Sequence, residues 1–179
     1  MHKQIEDFLV IGHETSVNPF PGLPFEDLAK KNPICEEKWG FNDKWYPTKD
    51  KPWLVCQIDA YEIEGSLSLL TVYDWKTGKR TGNEVKHTQQ MQLYLCAATL
   101  QFPLIKNFTS SLWYVDQNLI VPGKSYTADQ LNPIAQRWDK RGKKMTSDTE
   151  FEAKPSKSNC RFCDRRKDAG GNCEYEFES

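Results

Sequence analysis

The first apolar run, Phe8-Leu9-Val10-Ile11, predicts a strand over residues 5–17, closed by Asn18-Pro19 and Pro21-Gly22. Residues 24–52 keep no period. Pro24, Pro33, Pro47 and Pro52 interrupt them, and Trp39, Phe41, Trp45 and Tyr46 cluster irregularly. That stretch predicts a long surface excursion with one short helix near residues 25–31. The centre is more regular. Residues 53–63 and 67–76 read as two strands joined by Glu64-Gly65-Ser66, a hairpin signal. A turn follows over residues 77–82, and Asn83 is a candidate N-cap for a helix that runs to Phe102 and stops at Pro103. Met91, Tyr94, Leu95 and Ala98 fall at i, i+3, i+4 and i+7 and give that helix a packing face. Residues 111–116 predict a strand, 119–121 a segment that pairs with it, and 127–141 a second helix. The result is an α/β class: a small mixed β-sheet with the hairpin at its centre, flanked by the two helices.

Composition narrows this picture only modestly. With 179 residues the chain suits one domain, expected over 1–150, with a polar, cysteine-bearing tail over 151–179 packed on it. A hydrophobic fraction of 38% with six Trp and nine Phe supplies a core and excludes global disorder. The net charge of −1 argues against nonspecific coating of DNA, though not against a local basic patch. No apolar window is long enough to span a bilayer, and the N-terminal run is too short and too acidic at its flanks for a secretory signal. A soluble, cytoplasmic protein is expected (in host cytoplasm if the source is viral), and its six cysteines are not expected to form disulfides.

The chemistry gathers in the hairpin. Side chains alternate along a strand, so Asp74 and Lys76 share one face with Val72, while Tyr73 and Trp75 take the other. Charge beside a core strand is costly without a partner or a metal. Asp59 lies on the preceding strand, placed to converge with Asp74 at the same end of the sheet. Two such carboxylates suit a hard cation, Mg²⁺ or Mn²⁺, which can polarise a phosphoryl oxygen and acidify water. The neighbouring ammonium offsets charge on a pentacovalent phosphorus. By itself, Asp-x-Lys is also an ordinary surface ion pair.

Three segments together are more specific: Gln57-Ile58-Asp59, Tyr73-Asp74-Trp75-Lys76-Thr77-Gly78, and Gln90-Met91-Gln92-Leu93-Tyr94. Their order and spacing, 14 residues between the acids and 13 between Lys76 and Gln90, resemble the PD-(D/E)XK nuclease superfamily, in particular its RecB-like and Cas4-like exonuclease branch. The resemblance implies a restriction-endonuclease-like core. It also implies Asp59, Asp74 and the Trp75 backbone carbonyl as metal ligands, Lys76 as the catalytic lysine, and Gln90 and Tyr94 lining the site or touching DNA. Members of that branch usually carry a further histidine on an N-terminal helix; here His13 is the candidate, with its neighbour Glu14 as the alternative. Cys160, Cys163 and Cys173, joined by Cys35 as the early cysteine in a loop, are similar to the residues that hold an iron–sulfur cluster in Cas4-like and AddB-like nucleases. The Cys160-x-x-Cys163 spacing equally suits Zn²⁺. Cys56 and Cys96 read as core residues. Lys79, Arg80, Arg161 and Arg165 are candidate DNA contacts.

The expected function is metal-dependent hydrolysis of DNA, by an exonuclease acting on single strands or DNA ends in recombination, repair or phage replication. A helicase or recombination protein is the expected partner. The competing class is a non-catalytic nucleic-acid-binding module or a structural subunit of a larger nuclease complex.

Overall fold

The computed structural model describes residues 1–11, 17–65, 67–78, 80–150 and 152–175. The chain divides into two compact units, Met1–Asp139 and Lys140–Ser179. The first unit carries a mixed sheet of six strands, built from β1 (Ile34–Phe41), β2 (Leu54–Glu64), β3 (Leu69–Lys76), β4 (Asn107–Tyr114), β5 (Leu119–Pro122) and β6 (Tyr126–Thr127). The order is β1-β2-β3-β4-β5, with β6 paired to β4 beside that path. β3 and β4 run parallel and every other pair is antiparallel. A parallel pair needs a crossover, and α3 (Glu84–Gln101) supplies it. This is the mixed α/β architecture expected of a restriction-endonuclease-like core.

β3 is the middle strand, and its six interior residues, Leu70 to Trp75, are all buried. That is what a strand covered on both faces requires. Leu70 and Val72 pack into one cluster with Met91, Leu95 and Ala98 of α3 and with Leu131 and Ile134 of α4 (Ala128–Thr146). Tyr73 and Trp75 enter the other cluster, with Ile5, Phe8 and Leu9 of α1 (His2–Ile11) and Phe25 and Leu28 of α2 (Phe25–Ala29). The alternation read along residues 69–76 therefore holds in space.

Two expectations need correction. The strand expected over 5–17 fails within the described residues: His2–Ile11 is a helix, and Ile5, Phe8 and Leu9 are its buried residues, while residues 12–16 lie outside the described residues. Their i, i+3, i+4 spacing is a helical stripe, which the contiguous Phe8–Ile11 run obscured; Val10 and Ile11 are exposed. The sheet therefore has helices on both faces, whereas both helices expected to flank it, α3 and α4, pack into one cluster. The second correction concerns residues 24–52, which are not a continuous surface excursion. β1 lies within them, and Trp39 and Phe41 of that strand are fully buried. The Asn83 position does precede a helix, although its side chain makes no capping hydrogen bond. The later strand is β4, starting four residues before the expected 111, and β5 pairs with it as anticipated.

In the second unit, α5 (Lys157–Arg161) is N-capped by Ser156, whose Oγ accepts the Asn159 N–H at 3.1 Å. Among the described residues no helix is long and apolar enough to cross a membrane.

Candidate active site

The centre forms where the hairpin opens. β2 and β3 pair from Glu64↔Leu69 to Ala60↔Tyr73. One more step in that register would set Asp59 opposite Asp74, but the ladder ends first. The Asp59 carboxylate takes the place of the missing ladder bond: its Oδ2 accepts the Trp75 N–H at 2.7 Å. Both acids are enclosed, Asp59 at 9% exposure and Asp74 at 2%. Lys76 Nζ sits 2.6 Å from Asp74 Oδ2 in an ion pair. The contact lacks hydrogen-bond alignment, so this buried oxygen has no donor aimed at it. The Lys76 ammonium offsets its charge without a well-aligned hydrogen bond, and a bound cation would add a direct ligand contact.

The electrostatics agree. Burial, reinforced by the Asp74 charge, raises the Asp59 carboxyl to about 6, although the Trp75 N–H, His2 and Lys76 pull the other way. Burial also raises Asp74, against the pull of Lys76, His2 and His87. Two enclosed carboxylates held above the ordinary range, with the Asp74 charge adding to the rise at Asp59, suit a hard divalent ion.

Two helices frame this pair. On α3, Gln90 Nε2 donates to Tyr94 Oη at 2.7 Å, so the predicted Gln-x-x-x-Tyr pair is joined one helical turn apart. The Tyr94 hydroxyl is raised by burial, and the charges of Asp74 and Asp59 add to that, as expected if it faces both acids. His87 is also on this helix; its Nδ1 lies 2.7 Å from the Tyr114 hydroxyl, and its pKa is lowered by burial and by Lys76. From α1, His2 Nδ1 reaches within 3.3 Å of Asp59 Oδ1. His2, Glu36 and Asp59 each offer a ligand atom, and these atoms lie within 4.8 Å of one another.

Neither His2 nor Glu36 was among the predicted residues. His2 was missed because the helix that carries it was read as a strand; the Ile5, Phe8, Leu9 stripe was the available signal. Glu36 was missed because β1 was read as irregular. His13 and Glu14 lie outside the described residues, as does Lys79. Arg80 is exposed and is the leading charge that lowers the Tyr114 hydroxyl pKa against burial, which places it near the tyrosine paired with Lys76 in the β3–β4 register. The Thr77-Gly78 turn is built as its sequence suggests. Gly78 has φ of +86°, its N–H donates to Asp116 Oδ2 at 2.7 Å, and its carbonyl accepts from Gln117 Nε2 at 2.8 Å.

Among the cysteines, Cys56 and Cys96 are buried as expected. Cys35 is not in a loop. It lies on β1, half-buried, with its thiol raised to about 12 by burial and by the charges of Glu6, Glu36 and Asp59. Cys160, Cys163 and Cys173 belong to the second unit, where the Cys163 N–H donates to the Cys160 carbonyl and the Cys173 N–H to the Arg165 carbonyl. Arg161 and Arg165 are exposed in that same unit.

No curated protein matches the chain significantly. The family model of the PD-(D/E)XK nuclease superfamily matches residues 26–167, a span that contains the opened hairpin and α3 in full, and the chain belongs to that superfamily.

Proposed function

We propose that the protein is an exonuclease that hydrolyses DNA phosphodiester bonds with Mg²⁺ or Mn²⁺, at a centre formed by Asp59, Asp74 and Lys76. The observation that carries this reading is the opened hairpin: two enclosed carboxylates, with the Lys76 ammonium 2.6 Å from Asp74 Oδ2. Asp59, Asp74, the Trp75 carbonyl and His2 would hold a divalent cation. When bound there, the cation polarises the scissile phosphate and lowers the pKa of water.

The remaining work belongs to the side chains. Lys76 orients the attacking water and offsets negative charge as phosphorus becomes pentacovalent and one ester oxygen departs. Asp59 is held in place by the Trp75 N–H. Gln90 and Tyr94 act as a joined pair that lines the site and positions the strand, and Arg80 contacts a phosphate at the rim. Action on single strands or DNA ends, with a helicase or recombination protein as partner, is supported by the similarity of the three motifs to RecB-like and Cas4-like exonucleases.

The test is cleavage of end-labelled linear and of circular single-stranded DNA in Mg²⁺, Mn²⁺ or EDTA. Wild type should cut only with metal and should spare the circle. Lys76→Ala should slow cleavage by about 10²-fold or more, on the scale of losing one charge-stabilising donor. Asp74→Ala should abolish it. Wild type that binds DNA and leaves every substrate intact would refute catalysis, and a cut circle would refute the exonuclease mode.

A further inference from the structure

α3 offers two neighbouring faces. His87 and Tyr94 lie on the one that senses the Asp74 charge, and Gln90 is bonded to Tyr94 there. Thr88, Gln92 and Leu95, at i, i+4 and i+7, lie on the next face, and with Met91 they wall a cavity of about 300 Å³. The facing wall is the far side of the sheet, with Leu112 of β4, Val121 of β5 and Tyr126 of β6. The apolar residues of both walls belong to the core cluster under α3, so the cavity is a gap in that core.

The loop after β5 shapes the mouth. The Gly123 N–H donates to the Ser110 carbonyl at 2.7 Å, and Thr109 Oγ1 donates to the Lys124 carbonyl at 3.2 Å. A Cβ on Gly123 would stand 2.4 Å from Ser110 Oγ, so glycine is what lets the chain turn this close to β4. The Lys124 side chain is left exposed at the rim. Among the described residues lining the cavity it is the one cation, and there is no acid. Among the described residues, none bonds or ion-pairs with the side chains of Thr88, Gln92 or Lys124.

The cavity adjoins the reacting centre. Leu112 is paired with Asp74 in the β3–β4 register, and Val121 with Leu112 in the β4–β5 register. Paired residues point to one side of a sheet, so the three form a row on the α3 side. At ordinary strand spacing the row sets the cavity floor about 5–10 Å from Asp74. A strand with its phosphate at the two acids can therefore reach the cavity with an adjoining base.

We infer that this cavity is a subsite for one unpaired nucleobase next to the scissile phosphate. The inference deepens the nuclease reading and rests on it. Tyr126 and Met91 give the face of the base a ring and a polarisable thioether. The Gln92 amide, donor and acceptor at once, and the Thr88 hydroxyl meet its edge, while Lys124 meets the phosphate beside it. Pockets that hold small ligands begin at about 300 Å³, so the space suffices for one base. A base inside a duplex cannot enter, and the subsite thereby favours single-stranded ends.

The test is binding in EDTA at low ionic strength, where no cleavage intervenes. Fluorescence anisotropy is read for labelled single-stranded oligonucleotides, intact or lacking the base at one successive position. The proteins are the full-length wild type, Thr88→Trp, Tyr126→Ala and Gln92→Ala, with circular dichroism to verify folding. Wild type should show one position whose missing base weakens binding about tenfold, on the scale of one lost stack. Thr88→Trp and Tyr126→Ala should bind the intact strand about tenfold more weakly and no longer sense that position; Gln92→Ala should sense it less. Thr88 is exposed on α3, so its indole closes the mouth from outside the core and tests the subsite should Tyr126→Ala fail to fold. Equal effects at every position, positional sensitivity retained in Thr88→Trp, or no binding by wild type overturns the inference. Cleavage with Mn²⁺ on the same samples separates the two readings. Positional sensitivity without cutting would refute catalysis alone, and cutting without positional sensitivity would refute the subsite alone.

Discussion

Asp59 and Asp74 sit where a carboxylate is least comfortable without a cation, and this makes the metal-free protein sensitive to pH. The Asp59 carboxyl is raised from an ordinary 3.8 to about 6, so the folded state holds its proton more tightly than the unfolded chain does. That contribution to stability is complete below about 4 and is lost as pH rises through about 6. In EDTA the melting temperature should therefore fall between pH 4 and pH 6.5. Ligands must be deprotonated to bind, so Mn²⁺ should raise the melting temperature above pH 6 and do little at pH 4.5. Scanning fluorimetry across that range checks both arms, and Asp74→Asn should shrink both effects. A melting temperature that rises with pH in EDTA would show that the two acids are not the dominant titrating groups.

At the scale of elements, the Thr77-Gly78 turn and α3 set where Lys76 and Tyr94 stand. Gly78 has open space where a Cβ would go, so Gly78→Ala meets no clash and pays only for its φ of +86°. The expected cost is about 1 kcal/mol, a fall of a few degrees in melting temperature by calorimetry, with Mn²⁺ binding retained. Tyr94→Phe removes the acceptor of the Gln90 amide while keeping the buried ring. It should slow DNA cleavage by about tenfold with little change in Mn²⁺ affinity, the pattern of a residue that positions substrate. Equal losses in cleavage and metal affinity would instead place Tyr94 in the support of the ion. α1 shows how easily an element is misread. Phe8-Leu9-Val10-Ile11 satisfies a strand pattern, but Ile5, Phe8 and Leu9 are what the neighbouring layer buries.

At the scale of the whole fold, the site depends on both faces of the sheet being covered. Trp75, between the two catalytic candidates of β3, packs edge-on against Phe25 and Trp113 with ring centroids 5.3 and 5.6 Å away. Trp75→Ala should cost about 3–5 kcal/mol by denaturant titration, and metal affinity should fall with it because losing the packed indole loosens the backbone whose N–H holds Asp59. The motif order Asp59, Asp74-x-Lys76, Gln90-x-x-x-Tyr94 was legible from residue types and spacing, because each of those pieces lies within one local element whose period the sequence displays. The hairpin, α3 and the alternation of β3 were legible for the same reason. The positions of His2 and Glu36 were not. One depends on a ten-residue helix docking under the sheet, and the other on an edge strand whose backbone is left-handed at Glu36 and whose Cys35 and Trp39 pack into different clusters. Local periodicity determined that Asp74 and Lys76 share a face of the hairpin, with Tyr73 and Trp75 on the other. Which distant side chains meet them was decided by packing between elements, because neither the docking of α1 nor the left-handed backbone in β1 leaves a regular period in the chain.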